Sequence, residues 1–461
     1  MPPTVAAVAC LLFIAYLFWD DVRKRKGEGI SWVPFAWMFI AGSRFASSWL
    51  HLGGPMTAAT TYEEGSPTDR AVFLSLILWG LFVLARRKIN WSRILTENKW
   101  IAFYLVYCLL SLLWSDEPFV LAKRWIKDLG NPIVVLVLLT ERQPYEAVGI
   151  TLRRLSFLLL PLSVLFIKYY PEMGRAYLAD GSVMWTGVGH QKNDLGLLCL
   201  ITGMYFAWAH VHPRPGGKVF AGRSDAIDAV LIGMLGWLLY MSNSQTSIAC
   251  LVVAIGVLVV AKLRSVSLKP SRVVSLITIA ALGYLFLQST FGVNNYIFRL
   301  MGRDPTLTNR TTIWRTARGL EVNQLVGAGF LTFWNPERTA AFKSELGASL
   351  NQSHNGYLEQ YLNLGYVGVA FIIAILVSAL LDVRRHLDED ARPALLRLCF
   401  LVAAIMYNYT EASFYGINNM WVLLLTASIN TKSAISFSSR AQDTPPAPRE
   451  LVPRPRTTGR L

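Results

Sequence analysis

The sequence predicts an all-α polytopic integral membrane protein with about 12–13 transmembrane helices and one large outward-facing loop late in the chain. Three observations carry that expectation. Of 461 residues, 53% are hydrophobic and only 16% are charged, a balance that soluble domains of this size do not normally show. Mean hydropathy is +0.39, and apolar runs long enough to cross about 30 Å of hydrocarbon recur from end to end. The net charge is +15, but Lys and Arg cluster in short loops between the apolar runs. That pattern marks topology determinants and anionic-lipid contacts rather than nucleic-acid binding.

Hydropathy places spans at residues 4–20, 31–51, 71–86, 99–114, 125–140, 154–170, 194–211, 226–241, 246–263, 272–290, 356–381, 394–410 and 414–430. The first is followed by Asp20-Asp21 and a basic cluster, and it has neither a basic n-region nor a small-residue cleavage site. It reads as a retained helix rather than a signal peptide. Lys127 and Asp128 weaken 125–140 as a span, and only residues 408–413 separate the last two. The organisation is therefore N-terminal transmembrane helices (1–290), an outward loop or lid (291–355), C-terminal transmembrane helices (356–435) and a tail (436–461). The tail is rich in Pro and Arg and should be disordered.

Loop charge sets the orientation. Arg23 to Lys26, Arg86 to Lys88, Arg153-Arg154, residues 213–223, Lys262 to Arg272 and Arg384-Arg385 form basic loops. Acidic or mixed loops alternate with them, around Glu63-Glu64, Asp116-Glu117, Glu172 to Asp180, and 291–355. The positive-inside rule makes the first set and the tail cytoplasmic and the second set outward, with the N-terminus outside. The five cysteines (Cys10, Cys108, Cys199, Cys250, Cys399) lie in apolar segments without a CxxC pair, which leaves disulfide and metal-binding readings without support.

The stretch Asn351 to Gly368, NQSHNGYLEQYLNLGYVG, carries the strongest chemical signal. It predicts a helix entering the membrane with His354 in its first turn, and Asn355, Glu359 and Asn363 following at i+4 steps. Tyr357 and Tyr361 should share the His354 side. A polar stripe in an apolar helix must face a cavity or other protein. A helix N-terminus disfavours imidazolium, which suits His354 to the role of a base. The plain alternative is a histidine that merely caps a helix at the membrane surface.

Arg299, Arg303, Arg310, Arg315 and Arg318 populate the long loop, and arginine is the side chain best matched to a diphosphate. A solvated basic loop is the competing reading. The segment GVGHQKNDLG, Gly187 to Gly196, offers His190, Lys192, Asn193 and Asp194 at a helix mouth. It could bind anionic or sugar groups, or serve as an ordinary helix start. Arg44 lies inside an apolar run and needs a wet cavity or a partner such as Glu411. Gln245, in SNSQTS, marks a further polar outer turn. Walker, GxGxxG, HExxH and GxSxG patterns are absent from the sequence. Asp388-Glu389-Asp390 reads as solvated charge in a cytoplasmic loop.

Taken together, the many spans, the late outward loop, NRTTIW at 309–314 and SHNGYLEQYLNLGYVG at 353–368 resemble the O-antigen ligase and polysaccharide polymerase superfamily. GVGHQKNDLG is most similar to its exopolysaccharide polymerase branch, and the likeness covers roughly residues 150–430. The resemblance implies a metal-independent glycosyltransferase, without cofactor, in the bacterial inner membrane and acting on its periplasmic face. It further implies an undecaprenyl-diphosphate-linked glycan donor and a glycan or lipid acceptor, with a chain-length regulator or export machinery as partner. By that likeness the histidine matching His354 deprotonates the acceptor hydroxyl and Arg310 binds the diphosphate. Asn355, Tyr357, Glu359, His190, Lys192 and Asn193 stand as substrate-binding candidates. Many ligases carry a second arginine where this chain has Ser244-Gln245-Thr246, so Arg44, Arg175 or Arg303 is left to supply the second phosphate contact. A polymerase is the leading expectation, a ligase is the nearest alternative, and a glycan transporter using the same cavity is a third.

Overall fold

A computed structural model of the chain describes residues 1–24, 31–50, 66–177, 181–213, 223–293, 310–320, 322–346 and 352–435. Arg299, Arg303, Asn309, the Glu63-Glu64 loop and the 436–461 tail lie outside the described residues. The main apolar helices are α1 (Pro3–Lys24), α2 (Trp32–Ala41), α3 (Pro67–Ala85), α4 (Lys99–Leu110), α5 (Gly130–Leu139), α6 (Pro144–Tyr169) and α7 (Lys192–Val211). They continue with α8 (Arg223–Ser242), α9 (Gln245–Val260), α10 (Arg272–Phe291), α11 (Gly356–Leu387), α12 (Ala391–Thr410) and α13 (Asn419–Ser428). Among the described residues, seven helices are long and apolar enough to cross a membrane, and five shorter apolar helices accompany them. The chain is an all-α multi-pass membrane protein. The single sheet among the described residues is a hairpin of β1 (Arg175–Tyr177) and β2 (Val183–Trp185), antiparallel with Arg175 opposite Trp185.

The helices begin where local chemistry favours it. Prolines occupy the first turn of α3 and α6, where the missing N–H is no loss. Asn355 and Asn418 cap α11 and α13 through their side-chain oxygens. The centre of the bundle is α6, α7 and α12, the most buried of the long spans, while α10 is the least buried. Leu276, Ile279, Leu282 and Phe286 of α10 point outward, which costs nothing when the surrounding solvent is hydrocarbon.

The two ends of the bundle differ. One is laced with ion pairs: Arg154–Asp21 at 3.0 Å, Arg153–Asp228 at 2.6 Å, Arg397–Asp382 and Arg87–Glu141 at 2.5 Å, and Arg392–Glu146. Arg153-Arg154 and Arg384-Arg385, expected in loops, lie inside α6 and in the last turn of α11, the first two because Asp228 and Asp21 of neighbouring helices pair with them. Asp388 and Glu389 belong here too, the first accepting the Ser271 N–H and the second paired with Lys432. Asn355, Glu411, Asn193 and the β-hairpin occupy the opposite end.

Three spans read as continuous are interrupted. The 31–51 run stops at Ala41 and resumes only as a short turn, Ala46–Trp49. The 125–140 run is divided between a helix Pro118–Asp128 and α5. Asp128 lies buried at that junction, where its Oδ1 accepts from Asn131 Nδ2 (3.0 Å) and from the Gly416 N–H (2.7 Å). α11 breaks at Gly365, which has φ 63° and ψ −165°.

The break in α11 is what docks the late loop. It frees the carbonyls of Leu362 and Asn363, which accept from the N–H groups of Ala328 (3.1 Å) and Gly329 (2.8 Å). Beyond it, Tyr366 and Val367 donate to Gln324 O (2.9 Å) and Leu325 O (3.2 Å). Irregular backbone at membrane depth is tolerated where protein satisfies it. A Cβ at Gly365 would fall 2.2 Å from the Leu325 backbone, and the positive φ already disfavours any other residue. Trp114 Nε1 donating to Val326 O (3.1 Å) and Phe330 N to Ser111 Oγ (3.0 Å) complete the attachment.

Candidate active site

His354 precedes the N-cap of α11 instead of lying in its first turn. Asn355 is the cap, accepting from the N–H groups of Tyr357 and Leu358 at 3.0 Å each. His354 itself has φ 53°, a left-handed backbone that is uncommon outside glycine and tends to mark functional positions. Because it sits outside the helix, the i+4 stripe does not start from it. Tyr357 turns away, donating its hydroxyl to Ile405 O (3.1 Å) and packing edge-on against Phe414.

Glu411, just past the end of α12, organises what remains. Its backbone carbonyl accepts the Gly356 N–H at 2.9 Å, so the end of α12 and the start of α11 are tied directly. A Cβ at Gly356 would fall 2.1 Å from Asn408 Oδ1, so the approach of these two helices requires glycine. The Glu411 carboxyl, 7% exposed, gathers three side chains. Oε1 accepts from Arg310 Nη2 and from Asn193 Nδ2, both at 2.6 Å. Oε2 lies 3.3 Å from His354 Nδ1. An ionised carboxylate only accepts, so Nδ1 carries the proton in this contact and Nε2 is left as the basic nitrogen. Arg310 Nη1 is buried with no hydrogen-bond partner, and a buried donor left that way asks for an explanation.

The other predicted residues divide into neighbours and supports. Lys192 opens α7 beside Asn193 and lines a cleft of about 650 Å³. His190 is exposed, with its backbone N–H donating to Asp194 Oδ2 at 3.0 Å. Arg44 does not pair with Glu411. Its guanidinium donates to the carbonyls of Met173 and of Gly189 (3.4 Å), and its Nε is buried without a partner. Arg175 donates to Ile167 O from Nε (3.1 Å) and Nη2 (2.8 Å) while stacking over Trp185. Its fork thus closes the end of α6.

Glu359 is wholly buried. Its carboxylate accepts from Trp334 Nε1 (2.9 Å), the Ser353 N–H and Asn363 Nδ2 (3.3 Å). It holds the loop against α11 and keeps the residue before His354 in place.

Sequence reasoning named Glu411 only as a partner for Arg44. One signal could have promoted it, since it is the only acidic residue between Asp390 and Asp443 and it stands at the outer end of an apolar run.

A sequence profile described as O-antigen ligase matches residues 229–373. That stretch contains Arg310 and His354 and ends before Glu411. The chain is also 25% identical over 324 residues to the exopolysaccharide production protein ExoQ of Rhizobium meliloti (strain 1021), covering 67% of this chain and 70% of the relative. These findings support the O-antigen ligase and polymerase-like family. Here the Glu411 carboxylate joins His354 and Arg310.

Proposed function

We propose that the chain is a glycosyltransferase of the bacterial inner membrane that polymerises undecaprenyl-diphosphate-linked oligosaccharide units in O-antigen or exopolysaccharide biosynthesis. Its site would face the periplasm, opposite the end that holds the paired arginines. One observation carries this reading: Glu411 binds the candidate base, His354, and the candidate diphosphate ligand, Arg310, through one carboxylate.

In this reading His354 Nε2 takes the proton from an acceptor hydroxyl as that oxygen attacks the anomeric carbon of the lipid-linked sugar. The bond between that carbon and the diphosphate oxygen breaks with inversion, and the diphosphate leaves with the electron pair. Arg310 offsets its charge through the unpartnered Nη1, so a fixed cation rather than a metal supports the leaving group. Glu411 holds the imidazole tautomer and offsets the imidazolium that forms. Arg44, with its buried and unpartnered Nε, is assigned the second phosphate contact in this reading. Arg175 is committed to Ile167.

The relative's name speaks of exopolysaccharide production and favours the polymerase. The profile's description favours transfer of a finished glycan to a lipid or protein acceptor. Purified protein reconstituted with one lipid-linked oligosaccharide separates them. A product ladder that vanishes in His354→Ala identifies a polymerase. Transfer only after a second acceptor is added identifies a ligase. Movement of lipid-linked glycan across the bilayer with no covalent product would identify a transporter and sink the proposal.

A further inference from the structure

We propose that the cleft between the β1–β2 hairpin and the adjoining ends of α7, α8 and α9 is an oligosaccharide-binding site that holds the acceptor glycan, an inference that rests on the transferase reading above. The cleft encloses about 650 Å³, and its lining includes Ser182, Trp185, Lys192, Tyr240, Asn243 and Gln245. That volume lies within the range of small-ligand sites, which combine apolar walls with a few placed polar groups.

The lining chemistry matches a sugar. A pyranose has an apolar C–H face and a rim of hydroxyls, so it calls for an aromatic plane with amides and hydroxyls around it. Trp185 and Tyr240 are the aromatic surfaces, and large aromatics give contact area at little conformational cost. The Trp185 plane is held from behind, because the Arg175 guanidinium stacks 4.7 Å from its ring centre and is itself anchored to Ile167 O. Tyr240 is 78% exposed, so its ring is open to a ligand from the cleft side. Gln245 Nε2 donates to Asn243 Oδ1 at 3.2 Å, which sets two amides side by side on the rim. Lys192 is the only cation among the lining residues. A lone ammonium is a poor clamp for a diphosphate, which arginine forks hold better, so the cleft suits the glycan rather than the donor's leaving group.

Two of the lining residues are chain neighbours of residues that reach the candidate active site. Lys192 precedes Asn193, which donates to Glu411. Gln245 precedes Thr246, whose Oγ1 lies 2.6 Å from Thr410 Oγ1, next to Glu411 in the chain. In this proposal a glycan seated on Trp185 and Tyr240 extends along α7 and α9 toward the carboxylate that binds His354.

The test uses the full chain in nanodiscs, carrying His354→Ala so that binding is read without turnover. The probe is the lipid-free repeat oligosaccharide released by hydrolysis from the exopolysaccharide of the bacterium that makes the protein, in native and diazirine-tagged forms. Binding should weaken about tenfold in Tyr240→Ala and at least as much in Trp185→Ala, and the photo-crosslink should fall on peptides spanning 182–185 or 240–248. In the chain with His354 intact, Tyr240→Ala should raise the acceptor KM by a similar factor and change kcat less than about twofold. Tyr240 is exposed, so its loss leaves the fold intact and a null result stays readable. Wild-type affinity in both variants, a crosslink elsewhere, or no binding at all would overturn the cleft assignment. Transfer that Tyr240→Ala leaves unchanged would remove the cleft and leave the transferase standing. Cleft-dependent binding without transfer by the wild type would do the reverse.

Discussion

Glu411 Oε2 lies 3.3 Å from His354 Nδ1, while the other oxygen of the same carboxylate is held by Arg310 and Asn193. The imidazole is thereby oriented by a group that is itself fixed from two sides. Replacing Glu411 by Gln keeps the shape but lets the amide point either its oxygen or its NH₂ at the imidazole, so the tautomer is no longer set. Transfer should fall about 10- to 100-fold, as when partners that orient a functional histidine are lost. His354→Ala should cost about 100- to 10,000-fold. Rates of sugar transfer by the two purified variants, side by side, check the order.

Arg310 is bound to Glu411 by charge and by geometry at once. Arg310→Ala leaves a largely buried carboxylate without its cation, a loss on the order of 3–5 kcal/mol for a buried pair, so the melting temperature should drop as well as the activity. Adding Glu411→Gln should recover much of the melting temperature and none of the transfer. Arg310→Lys retains charge but loses the fork, and donor KM should rise more than stability falls. Thermal unfolding in detergent together with donor titration separates these outcomes.

Gly365 has φ 63°, and its α-carbon has no room toward Leu325. Gly365→Ala should destabilise the chain by about 1–3 kcal/mol through backbone strain, plus the displacement of loop 323–329 from α11. Limited proteolysis should then cut that loop faster than in the wild type. An unchanged digestion pattern and melting temperature would mean that the loop does not depend on the break in α11.

Glu359 was read as substrate-facing, and its surroundings assign it to support. Glu359→Gln retains an acceptor for Trp334 and Ser353 and should cost less than about 2 kcal/mol, with acceptor KM within about twofold of wild type. Glu359→Leu removes every acceptor, leaves the Trp334 indole N–H buried and unpaired, and should destabilise by more. A large rise in KM with a normal melting temperature in Glu359→Gln would instead place this carboxylate on the substrate.

Much of the fold was legible because its causes are local. Span positions follow from runs of apolar residues, so thirteen stretches read by hydropathy each coincide with a helix or a broken pair of helices. The breaks were not legible. Arg44, Asp128 and Gly365 interrupt their spans because of carbonyls, amides and backbone supplied by segments far away in sequence. Hydropathy averages over such polar points instead of placing them.

The site divides in the same way. His354, Arg310 and Asn193 could be named from residue type and setting, since a histidine at a membrane-helix entrance, a loop arginine and an amide at a helix mouth each suggest a task. Their meeting point could not be named, because Glu411 lies 57 residues from His354 and 101 from Arg310. Composition and hydropathy alone determined that this is an all-α membrane protein, since burial of apolar surface in lipid depends on each segment's own residues. Tertiary structure decided that Arg175, Tyr357 and Glu359 brace the fold while Glu411 joins His354 to Arg310. Hydrogen bonds are short and directional, and only packing brings distant segments within their reach.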